Sequence, residues 1–147
     1  MSLQTKKKPI VVEQTYPASI GKVWKAITES RQMREWFFEN IDSFESEIGF
    51  ETQFDVISNG KNYRHIWKVT EVEEEKKLSY SWRYGGYPGN SKGIWQLTTE
   101  DDRTHLKLTH EGTESFPQDN PDFSRENCSE SWISLIRKRL REFLKNG

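Results

Sequence analysis

The chain has 147 residues, 22 basic and 23 acidic, for a formal net charge of −1. That length fits one domain, and the near-zero charge excludes a general attraction to nucleic acid or to an anionic membrane surface. Hydrophobic residues make up 33% and charged residues 31%, but 6 Trp, 5 Tyr and 8 Phe argue against disorder and for a core built of rings.

Residues 1–8, with Lys6, Lys7 and Lys8, read as a flexible tail ahead of a single domain over residues 9–147. Ile10 to Tyr16 (IVVEQTY) is β-branched and partly alternating, which predicts a strand. Pro17 and Ala18 break it. Ser19 is placed to cap a helix with Ile20, Val23, Trp24 and Ile27 on one face, and Ser30 to cap a second that buries Met33, Trp36 and Phe37. Two helices this short have little surface to bury, so they are expected to plug one end of a sheet. From Ile41 to Gly112 the apolar period changes to two, with strands expected at 41–48, 50–57, 62–72, 77–84, 93–100 and 103–111. Asn59-Gly60 is the best hairpin turn, because both residues tolerate positive φ. Glu73 to Lys77 and Asp101-Asp102 supply two more turns, and Gly85 to Ser91 is one long irregular connection, read as a flexible edge or gate of a cavity or, equally, as a plain surface loop.

The last stretch, 127–146, sets Cys128, Trp132, Leu135, Ile136, Leu140, Phe143 and Leu144 on one helical face. So long an apolar face needs a broad partner, and no other helix is long enough, so the partner is a sheet. Alternation supplies it: Leu78, Tyr80, Trp82 and Tyr84 share one side of their strand, Trp95 and Leu97 another, and Leu106, Leu108 and His110 a third. The order β-α-α-β-β-β-β-β-β-α predicts an α+β architecture. The single cysteine, Cys128, excludes an internal disulfide and reads as a buried thiol. No apolar run reaches the roughly 18 residues of a membrane span, and no signal peptide opens the chain, so a cytoplasmic protein without membrane insertion is expected.

Several segments together resemble a known family. They are Tyr16 to Thr28 (YPASIGKVWKAIT) with Met33 and Trp36, Trp67 to Val72 with Leu78 to Trp82, Leu106 to Gly112, and Trp132 with Leu135, Ile136 and Leu140. Their order is similar to that of the START-like, Bet v-type SRPBCC superfamily, in the branch named for the activator of heat-shock-protein-90 ATPase. The resemblance implies a helix-grip fold: a seven-stranded antiparallel sheet curled around the C-terminal helix, closed at one end by two short helices, with a cavity for an apolar ligand. It implies no single activity, since lipid carriers, hormone receptors, aromatase/cyclase enzymes and a co-chaperone domain share it.

The chemistry is sparse. His65, His105 and His110 show no metal-ligand spacing and no cysteine pair joins them, so neither metal nor cofactor is expected. His65 and His105 are expected at the surface. No nucleophile elbow, P-loop or dinucleotide fingerprint occurs. Tyr80, Trp82, Tyr84, Trp95 and Trp132 read either as packed core or as the lining of a pocket with tyrosine hydroxyls and His110 as its polar handles, and different members can do either; the set is the candidate ligand site. The basic face of Arg137, Lys138, Arg141 and Lys145 reads as solvated, and no nucleic-acid partner is expected.

The expected function is non-enzymatic binding of a small hydrophobic molecule, aromatic or lipid-like. Two alternatives stand beside it. One is an aromatase/cyclase-type enzyme using a tyrosine and His110 as acid and base. The other is a module that stimulates a chaperone ATPase; against a chaperone partner, the chain is expected to lack the additional N-terminal domain of a full co-chaperone. Either a monomer or a dimer fits the sequence.

Overall fold

Alternation decides the sheet in the computed structural model, which describes residues 8–146. The tail expected over 1–8 lies, up to residue 7, outside the described residues. Ile10–Tyr16 (β1), Glu51–Ser58 (β2), Lys61–Glu73 (β3), Lys77–Tyr84 (β4), Ser91–Glu100 (β5) and Arg103–Glu111 (β6) pair antiparallel in the order β1-β6-β5-β4-β3-β2. Leu78, Tyr80, Trp82 and Tyr84 are buried along β4, as are Trp95 and Leu97 along β5 and Leu106, Leu108 and His110 along β6. The hairpins turn at Asn59 and Gly60 (φ 53° and 78°), at Glu75 (62°) and at Asp101 (56°). A register shift between Val69 and Glu71 puts a bulge in β3, which adds twist and helps the sheet curl.

Among the described residues the sheet has six strands and not the seven expected, because 41–48 does not alternate. Ile41 and Phe44 lie three residues apart and both are buried; Phe44 meets Phe50, Trp67 and Tyr80 edge-on. A strand cannot send both side chains inward. The segment therefore runs as an irregular connection, turning at Gly49 (φ 94°) and joining β3 through the Val69 N–H, which donates to the Phe50 carbonyl at 2.8 Å.

Helix α1 (Ile20–Thr28) begins as expected, with Ser19 Oγ accepting from the Lys22 N–H at 3.3 Å. Helix α2 (Ser30–Trp36) starts at Ser30 and is not capped by it; Glu29 holds the cap position without a side-chain bond. The Trp36 indole N–H donates to the Ala26 carbonyl at 2.8 Å and locks the two helices together. Their buried faces, Val23, Trp24, Ile27, Met33 and Trp36, form the plug.

The C-terminal helix is built in three parts: α3 (Arg125–Ser134), a π turn (Leu135–Arg139) and α4 (Leu140–Asn146). Trp132, Ile136, Leu140 and Leu144 are all buried, at four-residue steps. In a pure α-helix each such step drifts by about 40°, since four residues exceed a turn of 3.6. The wider π turn holds more residues per turn and takes back part of that drift. One line of side chains thus stays on the sheet. The Ile136 carbonyl inside this turn accepts the buried Tyr16 hydroxyl at 2.5 Å, and Lys22 Nζ reaches the Leu144 carbonyl at 2.9 Å, where the helix dipole favours a cation. No helix among the described residues is long and apolar enough to cross a membrane.

Candidate functional site

Strands β3 and β4 form the floor of the site. Tyr63, His65 and Trp67 alternate inward along β3, and the register sets His65 opposite Tyr84 and Trp67 opposite Trp82. Helix α3 forms the roof with Cys128 and Trp132, which share a face at four-residue spacing. Between floor and roof lies a cavity of about 140 Å³, closed further by Phe38, His110, Phe123 and Leu135. Larger hollows of about 480, 430 and 390 Å³ are clefts edged mainly by charged and polar side chains, so they lack its apolar lining. A dry cavity of about 150 Å³ takes one benzene ring, whereas drug-sized ligands need roughly 300–1,000 Å³. There is room here for one ring.

Of the expected lining, Trp82, Tyr84, His110 and Trp132 meet at the cavity, while Tyr80 and Trp95 do not. Those two lie on the plugged side. Trp95 meets Trp36 edge-on with centroids 6.1 Å apart, and its indole N–H donates to the Tyr80 hydroxyl at 3.1 Å. In their place the structure brings in His65, which is 6% exposed and not at the surface as expected. The signal for it was in the sequence: Tyr63, His65, Trp67 and Val69 follow the same alternation that placed the rings of β4. His105, by contrast, is only partly covered; its Nε2 lies 2.7 Å from Glu13 Oε1.

His110 is fully engaged. The Trp132 indole N–H can only donate, so His110 Nδ1 accepts it, at 2.9 Å. The proton of the neutral ring then sits on Nε2 and goes to Ser91 Oγ at 2.7 Å, and the Ser91 hydroxyl donates to the Trp82 carbonyl at 2.9 Å. Burial, helped by the neighbouring His65, pushes the His110 pKa down to about 3. A general-base role asks for a free nitrogen, and His110 has none.

His65 is half engaged. Its Nδ1 lies 3.2 Å from the Tyr63 carbonyl, which can only accept, so Nδ1 carries the proton and Nε2 is a bare acceptor. No partner for Nε2 is found among the described residues. The ring stacks on Phe54 at 5.2 Å and meets Phe38, Trp82 and Tyr84 edge-on at 5.1, 5.3 and 4.9 Å. Burial pushes its pKa down to about 4. Among the described residues the Trp82 indole N–H, like that of Trp67, is buried without a partner. Burial pushes the Cys128 thiol up to about 11, which keeps it protonated near neutral pH.

The mouth is laced by polar bonds. Asp122, in a 3-10 turn just before α3, accepts from the Tyr63 hydroxyl and from Asn59 Nδ2, and those bonds hold its carboxyl below the usual range. They tie the β2–β3 hairpin to the start of the roof. The connection after β4, expected as a flexible edge, is tied down as well. Asn90 exchanges hydrogen bonds of 2.9 Å with Ser115 Oγ, and a Cβ on Gly89 (φ 108°) would come within 2.6 Å of the Ser115 carbonyl oxygen. Tyr87 packs there against Phe123 and Tyr63, at 5.0 and 5.5 Å. Among the described residues no three His, Cys, Asp or Glu side chains cluster so as to hold a metal ion.

Comparison with known proteins agrees with this architecture. The model of the family Activator of Hsp90 ATPase homolog 1-like protein matches residues 17–145. A solved structure from Rhizobium loti superposes with a TM-score of 0.80 at 20% identity, over 92% of this chain and 96% of that one. The solution structure of a Bacillus halodurans protein gives 0.71 at 26% identity, over 96% and 99%. DynU16, a putative protein in the dynemicin biosynthetic locus, gives 0.76 at 21% identity over 96% of this chain, which spans about half (48%) of that longer one. No curated protein matches the sequence.

Proposed function

The chain belongs to the Activator of Hsp90 ATPase homolog 1-like protein family, and from its cavity we propose that it binds a small hydrophobic molecule without transforming it. One observation carries this reading: a mainly ring-lined, partly open pocket between β3, β4 and α3 in which neither histidine nor the cysteine is poised for chemistry near neutral pH. His110 has both nitrogens occupied. The free nitrogen of His65 belongs to a ring with a pKa near 4, and the Cys128 thiol has one near 11. Proton transfer and nucleophilic attack both need groups better matched to the working pH. The cavity size favours an aromatic ligand of about one ring over a lipid-like chain, which needs several times this volume. An aromatase/cyclase reaction would first have to break the Trp132–His110 bond. A chaperone partner would engage the outer surface, which this reading does not call upon.

Titration with toluene tests the proposal, followed by thermal unfolding and tryptophan fluorescence. Saturable one-to-one binding should raise the midpoint, with a stabilisation of about 2.7 kcal/mol at a hundredfold excess over Kd. Cys128→Leu, which narrows the cavity, should abolish it. Absence of saturation by any ring-sized molecule would end the proposal.

A further inference from the structure

We propose that the ligand is a neutral single-ring molecule bearing one O–H or N–H, a phenol or its like, whose hydrogen is accepted by His65 Nε2. The inference rests on the binding function above and narrows the chemistry of what is bound.

Three contacts fix the His65 ring. Its Nδ1–H is spent on the Tyr63 carbonyl, its face lies on Phe54, and the edges of Phe38, Trp82 and Tyr84 surround it. The ring therefore cannot turn its other nitrogen toward a partner elsewhere, and Nε2 stays a lone pair in an aromatic box. An acceptor that lines a cavity and has no donor among the described residues gains a hydrogen bond when a bound ligand supplies one in place of water. The site thus offers an open acceptor to one donor. Two other polar groups of the lining are already spent: His110 on Ser91 and Trp132, and Asp122 at the mouth on Tyr63 and Asn59.

Charged ligands fit poorly. No Lys or Arg lines the cavity to receive a carboxylate, which would also face the lone pair of His65. An ammonium group would find ring faces, but the one lining carboxylate is already engaged at the rim, so its desolvation would be weakly repaid. A neutral donor on one ring satisfies both the volume and the acceptor.

The experiment compares phenol, fluorobenzene and benzylammonium, each titrated by calorimetry into the wild-type protein and into His65→Phe. Phenol and fluorobenzene have nearly the same shape and differ in the donor. Phenol should bind roughly tenfold tighter than fluorobenzene, the ratio one net hydrogen bond gives. In His65→Phe that ratio should fall to about one, whatever the affinity for fluorobenzene itself becomes. In the wild type alone, the ¹⁵N resonance of His65 Nε2 should move on adding phenol and stay on adding fluorobenzene, which decides the matter if the variant folds poorly. Equal binding of phenol and fluorobenzene, or tighter binding of benzylammonium, overturns the donor assignment while leaving the binding function intact. A phenol preference that survives in His65→Phe overturns His65 as the acceptor. Failure of all three probes to bind would instead remove the binding function, and this inference with it.

Discussion

Two indole–phenol pairs lie on the same face of one sheet and behave differently. In the first, the Trp95 N–H donates to the Tyr80 hydroxyl at 3.1 Å, and the two residues are 1% and 0% exposed. In the second, the Trp82 N–H has no partner and Tyr84 keeps 9% exposure. The residue types are alike, although the first pair bridges β4 and β5 and the second lies along β4 alone. What differs is the backing: Trp36 of the plug stands behind the first pair, whereas the second lines the cavity beside His65. Abundance of rings therefore does not mark a pocket in this fold.

The largest effect should come from breaking the packed pair. Trp95→Ala is expected to cost the roughly 3–5 kcal/mol of a fully packed tryptophan. Trp82→Ala should cost about 1–2 kcal/mol less, because its cavity side has fewer contacts to lose and its N–H leaves no partner behind. Urea midpoints at an unchanged m-value measure the difference, and equal costs would erase the distinction between the two ends.

Acid should weaken the cavity end next. His65 and His110 have folded pKa values of about 4 and about 3, against about 6.5 when unfolded. Between those values the unfolded chain binds more protons, so stability is complete above about pH 6.5 and drains away as pH falls. By about pH 5 each histidine should have cost about 2 kcal/mol, and His65→Phe should remove its share of the slope. A flat profile from neutral pH to about pH 5 would show that neither ring is held neutral by the fold.

Smaller effects sharpen the same contrast. Ser91→Ala leaves the His110 Nε2–H without an acceptor and should cost about 1–3 kcal/mol, with little change expected at Trp95 by fluorescence. Asp122→Asn keeps the shape of the mouth but weakens its bonds to Tyr63 and Asn59, which stand near solvent. Its effect on midpoint should be the smallest of all, and its signature a several-fold faster release of bound ligand in stopped flow. Unchanged release would mean that the mouth opens elsewhere.

Period-two patterning made most of the sheet legible, and it put Trp82, Tyr84 and His110 on the right face. The same rule, applied to Tyr63, His65 and Trp67, would have moved His65 inward. It failed over 41–48 for a physical reason, since burying Ile41 and Phe44 together demands a non-extended backbone. What parity cannot show is depth. Tyr80 and Trp82 have the same parity, and only the arrival of α2 behind Trp95 and of Cys128 above Tyr84 separates packed core from cavity. Nor does sequence announce the π turn, although the run of four-residue steps from Trp132 to Leu144 is its trace.

A hydrogen-bond chain conducts protons only if both of its ends can exchange them. The chain from Trp132 through His110 and Ser91 begins at an indole, which releases no proton near neutral pH, and stops at the Trp82 carbonyl, which takes none up. Its polarity cannot reverse, because an indole cannot accept and a carbonyl cannot donate. It is therefore an insulator laid along one wall of the cavity. The His110 Nε2–H should exchange with solvent only on the timescale of local opening.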